Sequence, residues 1–235
     1  MFLAMLAGTG VAGILLTSLV YGRGGFRDLL GRLLKWRAST VWYMVALFTA
    51  PLLILVVLLT LSRLSPGYLP SIFVVDEKAT LLLSGIIAGL VVGVFEEIGW
   101  TGFAIPRLRL RYGVLTTGLI VGLLWGAWHY PLFTGSDPGE LPSAIFLPIL
   151  LFSVLPPFRV LMVWVYDRTK SLLMVMLMHA SLTASMQILQ PHEVAGVIAV
   201  TYDLVWAAAL WLIVAIVAVA HRGQLSQQPH LRKMA

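Results

Sequence analysis

The 235-residue chain contains no cysteine and few charged residues. Without cysteine it can have no disulfide framework, zinc ribbon or thiolate nucleophile, so any metal site has to rest on His, Asp or Glu. Charged residues make up 11% of the sequence and apolar residues 60%, and that charged share is about half the usual value for a soluble domain. Because the apolar residues are spread along the whole chain, the composition indicates a polytopic membrane protein.

Seven apolar stretches reach about 20 residues, the length that a helix needs to cross a bilayer. The predicted spans are residues 2–21, 39–62, 80–104, 114–133, 143–166, 171–190 and 195–220. An uncleaved signal anchor is the alternative for the first span, but this span lacks a basic leader and has no clear small-residue cleavage site. No joint between spans is long enough for a separate soluble domain. We therefore predict an all-α transmembrane bundle with residues 1–235 in one integral membrane domain.

Lysine and arginine are distributed unequally between alternate joints of this predicted bundle. Thirteen of them lie on one side, and only Arg63 and Lys78 lie on the other. The positive-inside rule then predicts a multi-pass cell membrane protein with its N-terminus outside and its C-terminus in the cytoplasm. The same basic joints account for the net charge of +6, so nucleic acid is not expected as a partner. Residues 23–37 combine basic and apolar residues at helical spacing, which predicts an amphipathic segment on the cytoplasmic membrane surface.

Six ionisable residues fall inside the predicted spans, where each costs several kcal/mol unless it faces the bundle interior. They are Glu96, Glu97, His129, Arg159, His179 and Asp203. Glu97 lies sixteen residues before Gly113 and His129 lies sixteen residues after it, so a turn at Gly113 returns both to one depth. His179 lies nine residues after Lys170, which at 1.5 Å per residue puts it at a similar depth, about 13 Å from that joint. Asp203 stands alone and is interpreted as a helix cap at a break.

Carboxylates and imidazoles at one depth fit two kinds of hydrolytic chemistry. A carboxylate beside an imidazole can take a proton from water and return it to a leaving amine. Alternatively, Glu96, His129 and His179 form a three-ligand site for a divalent metal such as zinc, with a fourth position for water. We prefer the metal-free chemistry, because the set offers only one carboxylate and two imidazoles, but the sequence leaves both open.

Three stretches around these residues resemble the CAAX protease and bacteriocin-processing family of intramembrane proteases, also called the Abi family. They read FEEIGWTGFAIPRLRLRYG, GLLWGAWHYPLF and RVLMVWVYDRTKSLLMVMLMHASLTAS, and they lie in a predicted catalytic core at about residues 90–190. The resemblance implies that Glu96 activates water, that Glu97 supports it, and that His129 and His179 are the second and third catalytic residues. It further implies a membrane-associated peptide or protein as the substrate, cleaved within or beside the lipid bilayer.

Three more positions follow from the same resemblance. Trp125 occupies the aromatic position four residues before the first histidine, and Thr183 stands in the small polar position after the second. The family usually has arginine where this chain has Thr101 and often asparagine where it has Thr183, so the second glutamate loses its ion-pair partner one turn away. We expect that Arg159 can replace this partner from another helix. A non-proteolytic scaffold or immunity protein and a proton-coupled transporter remain the alternatives.

Overall fold

Long helices joined by short turns make up the chain in a computed structural model that describes residues 2–193 and 195–220. In chain order they are α1 (Phe2–Leu33), α2 (Thr40–Leu61), α3 (Ser71–Val74), α4 (Lys78–Gly99), α5 (Ile105–Leu108), α6 (Val114–Phe133), α7 (Ser143–Phe152), α8 (Leu155–Thr169), α9 (Leu172–Leu189) and α10 (Gly196–Ala220). A π-helical turn, Trp100–Ala104, links α4 to α5, and a 3₁₀ turn, Pro66–Tyr68, precedes α3. The described part of the chain has no strand, so the predicted all-α fold is confirmed.

Six helical stretches in the described residues are long and apolar enough to cross a membrane. They are Ala4–Leu33, Thr40–Leu61, Lys78–Leu108, Ser143–Thr169, Leu172–Leu189 and Gly196–Ala220. The remaining predicted span is α6, which is a 20-residue helix. Trp, His and Tyr near its C-terminal end make it less apolar than the other six. The chain is therefore a multi-pass membrane protein built as a helical bundle.

Hydrogen bonds between joints show how the helices alternate in direction. At one end of the bundle Ser71 donates its backbone N–H to Gln190, and Gly196 donates to the Asp137 carbonyl. At the other end Arg109 pairs with Asp167 at 3.1 Å. This second end also brings together the strongly basic joints between α1 and α2, α5 and α6, and α8 and α9. The joints thus alternate between two ends, as the sequence predicts.

The first helix bends where the predicted span ends and the predicted amphipathic segment begins. Gly22 has φ 57° and ψ −145°, a backbone conformation that a side chain would disfavour. Beyond this bend Leu29 is buried against Leu172 and Met176 of α9, whereas Leu30 is exposed. The helix ends at Leu33, so the last four residues of the predicted segment 23–37 are not helical. Its location on the cytoplasmic membrane surface remains a prediction.

Two glycine-rich faces allow the central helices to pack at close range. Along α4, which lies against α9, a Cβ on Gly89 would collide with the carbonyl oxygen of Ala180. Along α6, which lies against α8, a Cβ on Gly122 would meet the Cα of Pro156 at 2.5 Å. Small residues are favoured at such crossings because they bring helix backbones together. These two close contacts hold α4 and α6 beside the helices that complete the candidate site.

Candidate active site

The two adjacent glutamates lie at the end of α4, immediately before the π-helical turn. In that turn Ile105 donates its backbone N–H to the carbonyl of Trp100, five residues earlier. Such single π turns inside α-helices are frequent at functional sites. Both glutamates are buried, with Glu96 4% and Glu97 0% exposed, so their carboxylates need partners within the protein.

Glu97 is held by three side chains from three different segments. Its Oε1 accepts hydrogen bonds from Nη1 of Arg159 and Nδ1 of His179, each at 2.7 Å. Its Oε2 accepts the hydroxyl of Thr101, which lies one turn further on in the π-helical segment. Arg159 is as fully buried as Glu97, so the two form an ion pair shielded from solvent. Arg159 thus occupies the role of counterion that the sequence analysis assigned to it in the absence of arginine at position 101.

Trp125 connects the other glutamate to both histidines. Its indole N–H donates to Oε2 of Glu96 at 2.8 Å, and its carbonyl oxygen accepts the Nδ1–H of His129 at 2.7 Å. Because a carbonyl oxygen can only accept, Nδ1 carries the proton and Nε2 of a neutral His129 keeps its lone pair. The Trp125 ring also lies edge-on to His179, with centroids 5.0 Å apart, and under the Arg159 guanidinium at 3.9 Å.

A cavity of about 740 Å³ opens beside this arrangement. Glu96, Trp125, His129, His179 and Thr183 all line it. Glu97 does not line it and lies behind its wall with Arg159. The predicted site residues therefore separate into a group that a bound molecule can reach and a buried carboxylate that supports His179.

The joint between α8 and α9 sets the direction of the helix that carries His179 and Thr183. Lys170 adopts a left-handed conformation, φ 51° and ψ 31°, and its N–H bonds back to the Tyr166 carbonyl. The next residue, Ser171, caps α9 by accepting the N–H of Met174. This compact connection turns the chain within two residues, so α9 returns directly beside α8 and Arg159.

The N-terminal helix also reaches the site, a contact that was not predicted from the sequence. Arg32 donates to the carbonyl oxygen of Gly102 at 2.9 Å and to that of Thr101 at 3.4 Å. Asp28 fixes the same guanidinium from one turn earlier at 2.9 Å. Arg32 therefore stabilises the π-helical turn that holds Thr101 against Glu97. About 70 residues separate these partners in sequence, so no local pattern indicates the contact.

Two sequence interpretations change at this point. Asp203 lies inside α10, so its interpretation as a cap at a helix break is wrong; the helix continues through it, and its side chain lines the cavity. The possible metal site was assigned to Glu96, His129 and His179. In residues 2–193 and 195–220, no three His, Asp or Glu side chains are grouped closely enough to hold a metal ion. These residues, as arranged, do not fit a metal ion.

Comparisons with known proteins concern the segment that carries this site. The family model described as type II CAAX prenyl endopeptidase Rce1-like matches residues 78–185. A protein from Methanococcus maripaludis named CAAX prenyl protease 2 is 24% identical over 104 residues, which cover 43% of this chain and 38% of that protein. The segment matched by the family model includes the glutamate pair, both histidines and Thr183. Both comparisons show that a segment covering less than half of the chain is similar to CAAX-type prenyl proteases.

Proposed function

We propose that the protein is a membrane-embedded endopeptidase of the CAAX-protease type, which hydrolyses a peptide bond of a membrane-associated substrate. The observation that supports this most is that Glu96, His129, His179 and Thr183 line one cavity within a helical membrane bundle. A carboxylate and two imidazoles around one space supply the groups that peptide hydrolysis needs.

Glu96 acts as the general base in the proposed reaction. Its carboxylate takes a proton from a water molecule while the water oxygen attacks the carbonyl carbon of the peptide bond. Nε2 of His129, left as an acceptor by the bond from Nδ1 to the Trp125 carbonyl, holds the same water. When the C–N bond breaks, the proton passes from Glu96 to the leaving nitrogen, so the carboxylate is regenerated.

His179 and Thr183 stabilise the negative oxygen that develops during the attack. Glu97 accepts the Nδ1–H of His179 and so fixes the orientation of the ring; in the proposed step, the Nε2–H of the doubly protonated ring donates to the oxyanion. Thr183, one turn along α9, adds its hydroxyl from the same face of the helix. Individual donors of this kind typically contribute about 3 to 4 kcal/mol to transition-state stabilisation.

The scaffold alternative loses its main support in this arrangement. That alternative was favoured by the threonine at position 101, which leaves the second glutamate without its usual partner on the same helix. In this chain Arg159 supplies the positive charge from α8 and Thr101 adds a hydrogen bond. The electrostatic partner of Glu97 is therefore present, although it comes from a different helix.

A cleavage assay with matched glutamine variants tests the proposal. The purified protein in lipid nanodiscs is incubated with a library of membrane-anchored peptides, and products are identified by mass spectrometry. We expect Glu96→Gln to lower kcat by about 10² to 10⁴-fold, the usual contribution of a general base. Glu77→Gln, at the exposed N-terminus of the same helix, is the control and should cleave normally. Full activity of folded Glu96→Gln would contradict the mechanism.

The proposal includes the membrane orientation that the basic joints indicate, with the N-terminus outside. The absence of native cysteine permits single-cysteine labelling. Gly135→Cys, in an exposed joint with open space around it, should react with a membrane-impermeant maleimide in intact cells. Arg111→Cys, in a joint at the opposite end, should react only after lysis. The reverse pattern would overturn the orientation and leave the proposed chemistry unaffected.

A further inference from the structure

The cavity extends from the catalytic residues to a wall formed by α10, outside the segment matched by the family. Ala199, Tyr202, Asp203 and Trp206 form this wall, and their spacing of three and four residues puts them on one face of the helix. None of the proposed catalytic steps uses a residue of α10. The polar groups of this wall therefore need a separate explanation.

Asp203 has no partner for its carboxylate in the described part of the protein, where no hydrogen bond or ion pair reaches it. It lies seven residues into α10, which corresponds to about 10 Å from the start of the helix. An unpaired carboxylate at such a position in a spanning helix is costly, and such residues commonly mark substrate or ion pathways. Asp203 is thus placed to receive a positive charge that the chain itself does not provide.

The surroundings of Asp203 have the chemistry of a cation site. Tyr202 and Trp206 stack with ring centroids 5.5 Å apart, and the faces of aromatic rings attract ammonium and guanidinium groups. Both side chains are buried, at 6% and 0% exposure, and the Tyr202 hydroxyl and Trp206 N–H have no hydrogen-bond partner. The unpaired Asp203 carboxylate beside these two rings indicates that this wall is completed by a ligand that carries a positive charge.

The charged residues that line the whole cavity also favour a positively charged ligand. Among the described residues that line it, the carboxylates are Glu96, Asp137 and Asp203, and none is lysine or arginine. Apart from the His179 ring in its protonated form, the charged groups of this lining are all carboxylates, and a cleft lined mainly by charges of one sign attracts ligands of the opposite sign. A peptide segment that carries an acidic side chain is disfavoured there, and one that carries a basic side chain is favoured.

We propose that Asp203, with the Tyr202 and Trp206 rings, forms a subsite for a lysine or arginine side chain of the peptide substrate. This inference rests on the proposed peptidase function and adds a preference for a substrate class. The basic side chain pairs with the Asp203 carboxylate while the peptide backbone extends along the cavity toward Glu96. The subsite thus selects which peptides reach the catalytic residues.

The test compares matched peptides that differ at one position. Starting from one peptide that the protein cleaves, lysine, glutamine or glutamate is placed at one position around the scissile bond at a time. The value of kcat/KM is measured for each of these peptides. We expect one position at which lysine is preferred over glutamine by at least about tenfold, as for a desolvated charge pair. Asp203→Asn should bring that ratio close to one, Asp203→Glu should retain it, and Asp203→Lys should favour glutamate.

A binding measurement separates failure of the subsite from failure of the peptidase proposal. Fluorescent lysine and glutamine peptides are titrated into the Glu96→Gln protein with and without Asp203→Asn. Tighter binding of the lysine peptide that disappears with Asp203→Asn supports the subsite even when no peptide is cleaved. Equal binding or equal cleavage of both peptides by folded protein overturns the subsite and leaves the hydrolytic proposal standing. Glu140→Gln, an exposed carboxylate that does not line the cavity, is the control for general charge attraction and should leave the ratio unchanged.

Discussion

Breaking the ion pair between Glu97 and Arg159 should destabilise the whole bundle. Both side chains are 0% exposed and their atoms are 2.7 Å apart, so removing either one leaves a buried charge without its counterion. Truncating one partner of such a pair commonly costs about 3 to 5 kcal/mol. We expect Glu97→Gln and Arg159→Met each to lower the free energy of unfolding by this amount, measured by titration with denaturing detergent.

The contacts of the two partners predict an asymmetry between these variants. Without Arg159, Glu97 still accepts hydrogen bonds from His179 and Thr101. Without the Glu97 carboxylate, Arg159 keeps its contact with the Trp125 ring, and its Nε and Nη2 already lack partners. Glu97→Gln should therefore be less stable than Arg159→Met.

A double-mutant cycle gives the decisive measurement for this pair. The combined variant should be more stable than the sum of the single effects predicts, with a coupling energy of about 1 to 3 kcal/mol. Adding Thr101→Arg to Arg159→Met should recover much of the loss, because it restores a cation one helical turn from Glu97. Additive single effects, with no recovery, would refute the reasoning that Arg159 replaces the arginine usual at position 101.

Three further predictions concern residues around the site. Trp125→Phe keeps an aromatic ring but removes the N–H that donates to Glu96. Because a hydrogen bond to a charged group contributes about 1.5 to 3 kcal/mol, kcat should fall about tenfold or more. An unchanged kcat would contradict the role of this bond. Arg32→Gln should lower kcat more than it raises KM in the peptidase assay, because it loosens the π-helical turn away from the cavity; an effect on KM alone would argue against this. Gly89→Ala should destabilise the protein by about 1 to 3 kcal/mol, because the added methyl group collides with the α9 backbone. Gly31→Ala is the control and should not destabilise it, because the space around Gly31 is open. Thermal unfolding of both variants measures the difference.

The helices and the approximate depth of the site could be predicted because both depend on local sequence patterns. A spanning helix requires an apolar stretch of a certain length, and intramembrane charges are rare enough to identify by inspection. The same cost of burying a charge made Arg159 a candidate partner for Glu97 before its position was known. Because a buried charge needs a partner, the pairing could be predicted even though 62 residues separate Arg159 from Glu97.

Other features depend on contacts that no sequence pattern specifies. The stretch from Trp100 to Ala104 contains no residue that distinguishes a π turn from an α-helical one, since both use the same backbone conformation region. Arg32 was interpreted as one of several basic residues at a membrane surface, although it bonds to the carbonyl of Gly102. Asp203 was interpreted from its isolation in sequence, whereas its surroundings come from helices that are distant in sequence.

The π-helical turn between α4 and α5 allows the side chains of these two helices to point in directions that do not depend on each other. One added residue in an α-helix rotates everything beyond it by about 100°, but a wide turn with bonds to the fifth residue absorbs such an addition locally. The glutamate pair therefore keeps its direction toward α6 and α9, while Arg109, beyond the turn, keeps its own pairing with Asp167. An insertion or deletion of one residue within Trp100–Ala104 can therefore be accommodated without rotating Glu96 away from the cavity.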